Sequence, residues 1–334
     1  MRSLNKFNVK GKGSHMKVLV TGGAGFIGRW VVDRLLKDGH QVSVLDDLSN
    51  GRKENLESFS TNRNFMEFTV GDIQDEHLLK RLFSKHKFDL CFHLAAKINV
   101  QESLDHPRET FESDVIGTFY LLEQCKEHNV KMVFMSTCMV YDRAYDEKGI
   151  NELSKVKPAS VYAGAKLAAE FLVMSYYHSY GLPVVIVRPF NTYGPYQKTN
   201  TEGGVVAIFI QKKLANESVQ IYGDGTQTRD LLYVEDCAQF VVEAGYSNHV
   251  NGEIINAGLG RDITINDLAK MIVKDEKLIK HVKHIHPQSE IQKLLCDNRK
   301  AKNLLNWKPT ISLEEGIQKT ERWIQSKESD RNGE

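Results

Sequence analysis

The chain reads as an α/β protein built on a doubly wound parallel sheet. Two observations predict this. A short apolar run turns through glycines into a helix at 17–37. Short β-rich runs then alternate with helical periods as far as PVVIVRP at 183–189. Strands separated by helices pair in parallel and are covered on both faces.

KVLV at 17–20 is too short for a helix, whereas Trp30, Val31, Leu35 and Leu36 recur at helical spacing. The intervening TGGAGFIG therefore sits at a strand-to-helix turn. Gly22 permits the tight turn, Gly25 lets backbone approach a pyrophosphate, and Gly28 lets helix and strand pack closely. The helix N-terminus, with Phe26 and Ile27 in its first turn, offers N–H groups to phosphate. Asp46 ends the next β-rich run, QVSVLD, placed to accept from a ribose 2′- and 3′-hydroxyl pair. An acid there repels a 2′-phosphate, so the expected cofactor is NAD rather than NADP.

The alternation continues through NFMEFTV, the helical DEHLLKRLFSKH and the strand-like DLCFHLAA. A helix over 108–128 precedes KMVFMST, and another over 158–180 precedes PVVIVRP. On the latter, Tyr162 and Lys166 are four apart and share a face. A phenol becomes a useful base only when its pKa falls from ~10 toward neutrality, about 4 kcal/mol for three units. One cation about 4 Å away at an effective dielectric of 20 supplies that order of energy. Lys166 and the positive nicotinamide are two candidates, and Thr137 after KMVFMS reaches the same hydroxyl. Together they form a device that removes a hydroxyl proton while hydride leaves the carbon.

The bulk composition narrows the alternatives. A formal net charge of +1 gives no electrostatic case for nucleic acid or an anionic membrane. No apolar run approaches the ~20 residues a membrane span needs. Cys91, Cys125, Cys138, Cys237 and Cys296 are odd in number and lack metal-type spacing, so free thiols in a reducing cytoplasm are expected, with no metal. Residues 1–16, basic and without an acid, read as a tag or as leader upstream of a true start at Met16.

From Lys17 to about Trp323 the chain resembles the extended short-chain dehydrogenase/reductases that act on nucleotide sugars. The resemblance is carried by TGGAGFIG, GDI at 71–73, HLAA at 93–96, STCMVY at 136–141, YAGAK, RPFNTYGP at 188–195 and GDGTQTRDLLYVED at 223–236. It implies a Rossmann-type NAD domain over 17–190 with part of 232–258, joined to a smaller α/β substrate-binding lobe for the nucleotide sugar over 191–231 and 259–330. Asp72 would contact adenine beside Ile73, and Leu94, Ala95 and Ala96 would line the cofactor. Asn191 and Arg229 would grip a diphosphate. Without the resemblance, Asn191 reads as a turn residue and Arg229 as half of a surface ion pair. The helix at 202–214 would lie beside the nucleotide base, and NWKPT at 306–310 would be the usual ending before the last helix. A homodimer through 108–128 and 158–180 is also implied.

The family's first step is oxidation at C4 of the hexose. Its 4,6-dehydratases carry an acid pair after the Ser/Thr, and its 4-epimerases carry small neutral residues. Cys138 and Met139 match neither. The Thr-Cys pair resembles a subgroup of UDP-N-acetylhexosamine 5,6-dehydratases and partner enzymes handling the 5,6-ene sugar. There Cys138 would protonate a leaving hydroxyl or C5; otherwise it is a small buried hydrophobe. Lys97 stands where Gln or Glu is common and would bring a cation to the sugar. Asp114 replaces a usual Asn, and Asp142 a usual Gly, a substitute base if its backbone aims it at the sugar. The expectation is a dehydratase-type enzyme, with a UDP-sugar 4-epimerase second. A non-catalytic dinucleotide-binding scaffold is disfavoured, having no physical need for Thr137, Tyr162 and Lys166 together.

Overall fold

The computed structural model describes residues 13–199, 204–284 and 290–332. Its strands are β1 (Lys17–Thr21), β2 (Gln41–Asp46), β3 (Phe65–Val70), β4 (Leu90–His93), β5 (Lys131–Met135), β6 (Val184–Pro189), β7 (Asn191–Tyr193), β8 (Val219–Tyr222), β9 (Thr228–Tyr233), β10 (Glu253–Ala257), β11 (Asp262–Thr264), β12 (Ile279–Val282) and β13 (Lys293–Leu294). Its helices are α1 (Phe26–Lys37), α2 (Glu76–His86), α3 (Val100–Asp105), α4 (Pro107–Phe111), α5 (Thr118–His128), α6 (Val161–Tyr180), α7 (Val205–Leu214), α8 (Val234–Tyr246), α9 (Ile265–Val273), α10 (Arg299–Leu305) and α11 (Leu313–Asn332).

Seven strands form one sheet in the order β10-β6-β5-β4-β1-β2-β3. Every pairing in it is parallel. Parallel strands covered on both sides become continuous apolar runs rather than alternating ones. Every residue of β5 and β6 is accordingly buried. Val31, Leu35, Phe240 and Val241, from α1 and α8, pack in the core on one face. Leu79, Phe83, Leu121, Ala169 and Val173, from α2, α5 and α6, fill the other. The strand order reverses between β1 and β4, and the crevice beyond their carboxyl ends is the place where such sheets bind ligands.

The smaller lobe has β9 between β11 and β13, with β7 also paired to β9, and a separate β8–β12 pair. Its core joins α7, α9 and α11 through Phe209, Leu268 and Ile317. Packing places some segments differently from their order in the sequence. Met16 is buried in the large core, and its N–H donates to His40 Nδ1 at 3.3 Å, although it stands in the segment read as leader. Ala301 and Trp307 also belong to that core, Trp307 lying 5.1 Å from the Phe240 ring.

The expected helix over 108–128 is α4 and α5 joined by a π-helical turn at Glu112–Gly117. The helix expected over 158–180 begins at Val161, with Ser160 as N-cap accepting from Ala163 N–H. The helix expected at 202–214 runs from Val205, and residues 202–203 lie outside the described ones. No helix among the described residues is long and apolar enough to cross a membrane.

Candidate active site

A cavity of about 1030 Å³ opens at the crevice between β1 and β4. Its lining brings together Gly22, Gly25, Phe26, Ile27, Gly28, Asp46, Asp72, Ile73, Leu94, Ala95, Ala96, Lys97, Thr137, Cys138, Tyr162 and Asn191. Lys166 is buried outside that lining. Arg229 also lies outside it, and its polar contacts are with Thr228, Glu290 and Ile291.

The glycine turn is shaped for a dinucleotide. Gly22 has φ +71°, and a Cβ on it would come within 2.6 Å of Ala95 N. A Cβ on Gly28 would lie 2.0 Å from Gly22 O. Around Gly25 an added Cβ meets only Gly22 O, at 3.1 Å, and the remaining space is a cradle that a side chain would fill. Helix α1 starts there with no side-chain cap and no acid in its first turn, so its first N–H groups are left for an external anion. At the end of β2, Asp46 accepts from Ala24 N–H and Leu48 N–H, each at 2.9 Å. These bonds fix the carboxylate at the cavity edge, while burial raises its pKa. The residues present therefore fit NAD.

Thr137, Cys138 and Tyr162 line another part of the same cavity. Thr137 Oγ1 accepts from Met139 N–H at 3.1 Å. Tyr162 stands on the first turn of α6. One turn on, Lys166 Nζ lies 4.4 Å from the Phe134 ring centroid. Burial lowers the Lys166 pKa, and Asp114 and Glu170 oppose that fall. For Tyr162 burial wins outright, aided by the Asp114 charge, and the phenol stands above its ordinary range. The downward shift expected from Lys166 is not produced by this chain's groups alone.

Burial pushes the Cys138 thiol up to about 12, with Arg229 acting against it. Cys138 is thus a protonated thiol, able to give a proton but poorly able to take one. Met139 lines the cavity beside it. Asp142 does not, because its carboxylate accepts from Tyr145 OH at 2.7 Å and Arg143 N–H at 2.9 Å. The carboxylates in the lining are Asp46, Asp47, Glu54, Glu57 and Asp72, all on the β2–β3 side. None accompanies Thr137 and Tyr162. Asn191 Oδ1 is buried without a hydrogen-bond partner, consistent with an acceptor left for a ligand donor.

Sequence reasoning missed the support beneath this site. Glu170 Oε1 accepts from Arg188 Nε at 2.8 Å, and the same carboxylate takes Arg188 Nη2 and the Ser136 hydroxyl. The signal was present in the helix period, since Glu170 follows Lys166 by four as Lys166 follows Tyr162. Gln211, Trp323 and Lys327 also line the cavity from α7 and α11, a tertiary closure that no local pattern announces.

A parallel sheet with this glycine turn, the carboxylate of Asp46 fixed at its edge, and Thr137, Tyr162 and Lys166 grouped beyond it has the form of a dinucleotide-dependent enzyme. The sequence model of the GDP-mannose 4,6 dehydratase family matches residues 19–320, and the chain belongs to that family. It is 38% identical over 323 residues to a UDP-glucose 4-epimerase of Mycolicibacterium smegmatis, covering 93% of this chain and 99% of the relative. Among solved structures, Pal from Bacillus thuringiensis is 63% identical with a TM-score of 0.92, over 93% of this chain and 99% of that one. A UDP-glucose 4-epimerase of Thermus thermophilus, solved in complex with NAD, is 32% identical with a TM-score of 0.84, over 93% and 99% of the two chains. The chain is an NAD-dependent nucleotide-sugar enzyme of the C4-oxidising kind.

Proposed function

We propose that the enzyme acts on a UDP-linked N-acetylhexosamine that already carries a 5,6-double bond, converting it to the 4-keto-6-deoxy sugar without net redox change. The observation that carries this is the sugar end itself, which pairs a protonated Cys138 thiol with no carboxylate. A 4,6-dehydratase oxidises C4, removes water across C5 and C6 with an acid and a base, and then reduces C6. This chain has groups for the first and last operations and lacks a ready base for the middle one. A substrate from which water is already gone needs only what is present.

NAD, which the glycine turn and Asp46 would hold, would supply the acceptor for the C4 hydride and the donor for C6. Thr137 holds the C4 oxygen while Tyr162 takes the hydroxyl proton, leaving a ketone conjugated with the C5–C6 alkene. Reduction at C6 places the electron pair over C5 and the C4 oxygen, and Cys138 gives its proton to C5. The proton on Tyr162 then restores the thiol across the cavity that both side chains line. Atoms and electrons balance, and substrate and product are isomers. Asn191 would accept from the nucleotide or sugar, and Lys97 would place its ammonium near the C4 oxygen.

A second reading, UDP-sugar 4-epimerase, is favoured by the same lack of a carboxylate and by the relatives reported above. Incubation of the purified enzyme in D2O with UDP-N-acetylglucosamine, UDP-glucose and the 5,6-ene of the former separates them. Loss of the vinyl signals at constant carbon skeleton, with one deuterium at C5, supports the first reading, and Cys138→Ala abolishes that deuteration. A new C4 epimer of a saturated sugar supports the second, and a product lighter by one water restores dehydration proper.

Exposed Phe111, Phe119 and Phe171 on α4, α5 and α6 support a homodimer through these helices, checked by sedimentation equilibrium. Five buried, free thiols support a cytoplasmic setting.

A further inference from the structure

Tyr162 is the second residue of α6, and its backbone is held from outside that helix. The N–H groups at the start of an α-helix have no partner within it. Ser160, the N-cap, accepts from Ala163 N–H through its hydroxyl at 3.2 Å, and its carbonyl takes the Gly164 N–H at 3.0 Å. The Tyr162 N–H donates instead to Ser103 Oγ at 3.2 Å, across 59 residues of chain.

Ser103 is fully buried on α3 and is shaped for this contact. Its hydroxyl donates to Val100 O at 2.7 Å, which turns the proton away and leaves a lone pair for the Tyr162 N–H. Its own N–H donates to Asn99 O at 3.0 Å, and Asn99 Oδ1 caps α3 by accepting from Glu102 N–H at 3.1 Å. α3 therefore closes its own turn without help from α6. It follows directly on Lys97 and Ile98, which line the cavity, and the Lys97 N–H is held separately by Asp114 Oδ1 at 2.8 Å. Loss of the Ser103 hydroxyl would free the start of α6 while leaving that wall of the cavity tied.

We propose that Ser103 is a positioning residue for the reaction: its hydroxyl caps the Tyr162 N–H and so fixes the phenol against the sugar hydroxyl that it deprotonates. A buried N–H without an acceptor is costly, so without Ser103 the first turn of α6 shifts or unwinds to find one. The Tyr162 side chain leaves from that same backbone and moves with it. A misplacement of about 1 Å costs up to roughly a hundredfold in rate, while the rest of the cavity, and with it substrate binding, stays as it was. The inference rests on Tyr162 being the base of the reaction proposed above.

The test compares NAD-bound wild type, Ser103→Ala and Ser103→Thr in two ways. One is steady-state kinetics on the 5,6-ene of UDP-N-acetylglucosamine and on UDP-glucose, and the other is amide hydrogen exchange resolved at Tyr162. In Ser103→Ala, kcat is expected to fall about tenfold to a hundredfold at unchanged KM. Exchange of the Tyr162 N–H is expected to quicken about fivefold, the worth of one hydrogen bond. Ser103→Thr keeps the hydroxyl and is expected to return both toward wild type. Thr264→Ala, which removes the N-cap of α9 in the smaller lobe, controls for lost stability alone and should keep its kcat. Unchanged kcat or unchanged exchange in Ser103→Ala, a change carried by KM, or equal losses in Ser103→Ala and Ser103→Thr each overturn the proposal. Should Ser103→Ala fail to fold, Ser103→Cys, a weaker acceptor, takes its place, and failure of both marks a packing residue and also overturns it. Full activity in Tyr162→Phe would sink the reading of Tyr162 as base. Turnover of neither sugar by wild type would sink the reaction proposed above, and exchange at Tyr162 then decides this inference alone.

Discussion

Substituting Gly28 by alanine should cost the enzyme its cofactor while leaving the chain folded. The new Cβ would sit 2.0 Å from Gly22 O, where ordinary contact begins at 3.4 Å. The start of α1 must therefore retreat by about 1.4 Å, or the glycine turn must open by as much. A hydrogen bond of about 2.9 Å from a first-turn N–H to a phosphate oxygen would then exceed 4 Å and cease to exist. Bonds to charged groups contribute about 1.5–3 kcal/mol each. Losing two gives about 3–6 kcal/mol, a weakening of NAD binding of roughly a hundredfold to ten-thousandfold. The assay is NAD released from denatured purified protein, followed by calorimetric titration with NAD. Gly164→Ala serves as the control, because its added Cβ meets nothing within 4 Å. Stoichiometric NAD in Gly28→Ala at wild-type affinity would refute the argument that this contact shapes the phosphate cradle.

Two further outcomes follow from the buried polar groups. Glu170→Gln leaves the Arg188 guanidinium, 3% exposed, without its counter-charge, and removing one partner of a buried pair typically costs about 3–5 kcal/mol. Thermal unfolding should register a clear fall in Tm, and an unchanged Tm would show that Arg188 is satisfied by its stacking on Tyr141. His93 has a folded pKa lowered to about 3 from 6.5, so the unfolded chain binds the extra proton between those values. Its stabilising contribution is whole above pH 6.5 and is lost as pH falls toward 3, at about 1.4 kcal/mol per unit. Denaturant titrations at about pH 7 and about pH 5 should therefore differ more in wild type than in His93→Gln, and equal differences would count against a neutral His93.

The glycine turn and Asp46 were legible because local spacing alone places them, a strand of five residues and a helix of twelve fixing where the turn must fall. Tyr162 and Lys166 were legible for the same reason, being one helical turn apart. Arg229 was not, since its partner Glu290 is 61 residues away and only the tertiary fold brings the two together. The state of Cys138 was equally hidden: a thiol's pKa depends on how completely its surroundings exclude water. Trp307, in the segment read as the ending before the last helix, packs against Phe240, a contact set by the return of the chain and not by any periodicity.

The turn at Glu112–Gly117 also fixes what length the chain can tolerate there. A π turn carries one residue more than the α-helix around it. Deleting any one of those six residues would let an unbroken α-helix run from Pro107 to His128 with every backbone bond made. Because the wider turn takes up its extra residue locally, α4 and α5 would keep their relative phase and Phe111 its face. The cost would fall on the bulge itself, which aims Asp114 at the Lys97 N–H. A shorter and locally more regular sequence would keep the helix and lose that tie to the segment after β4.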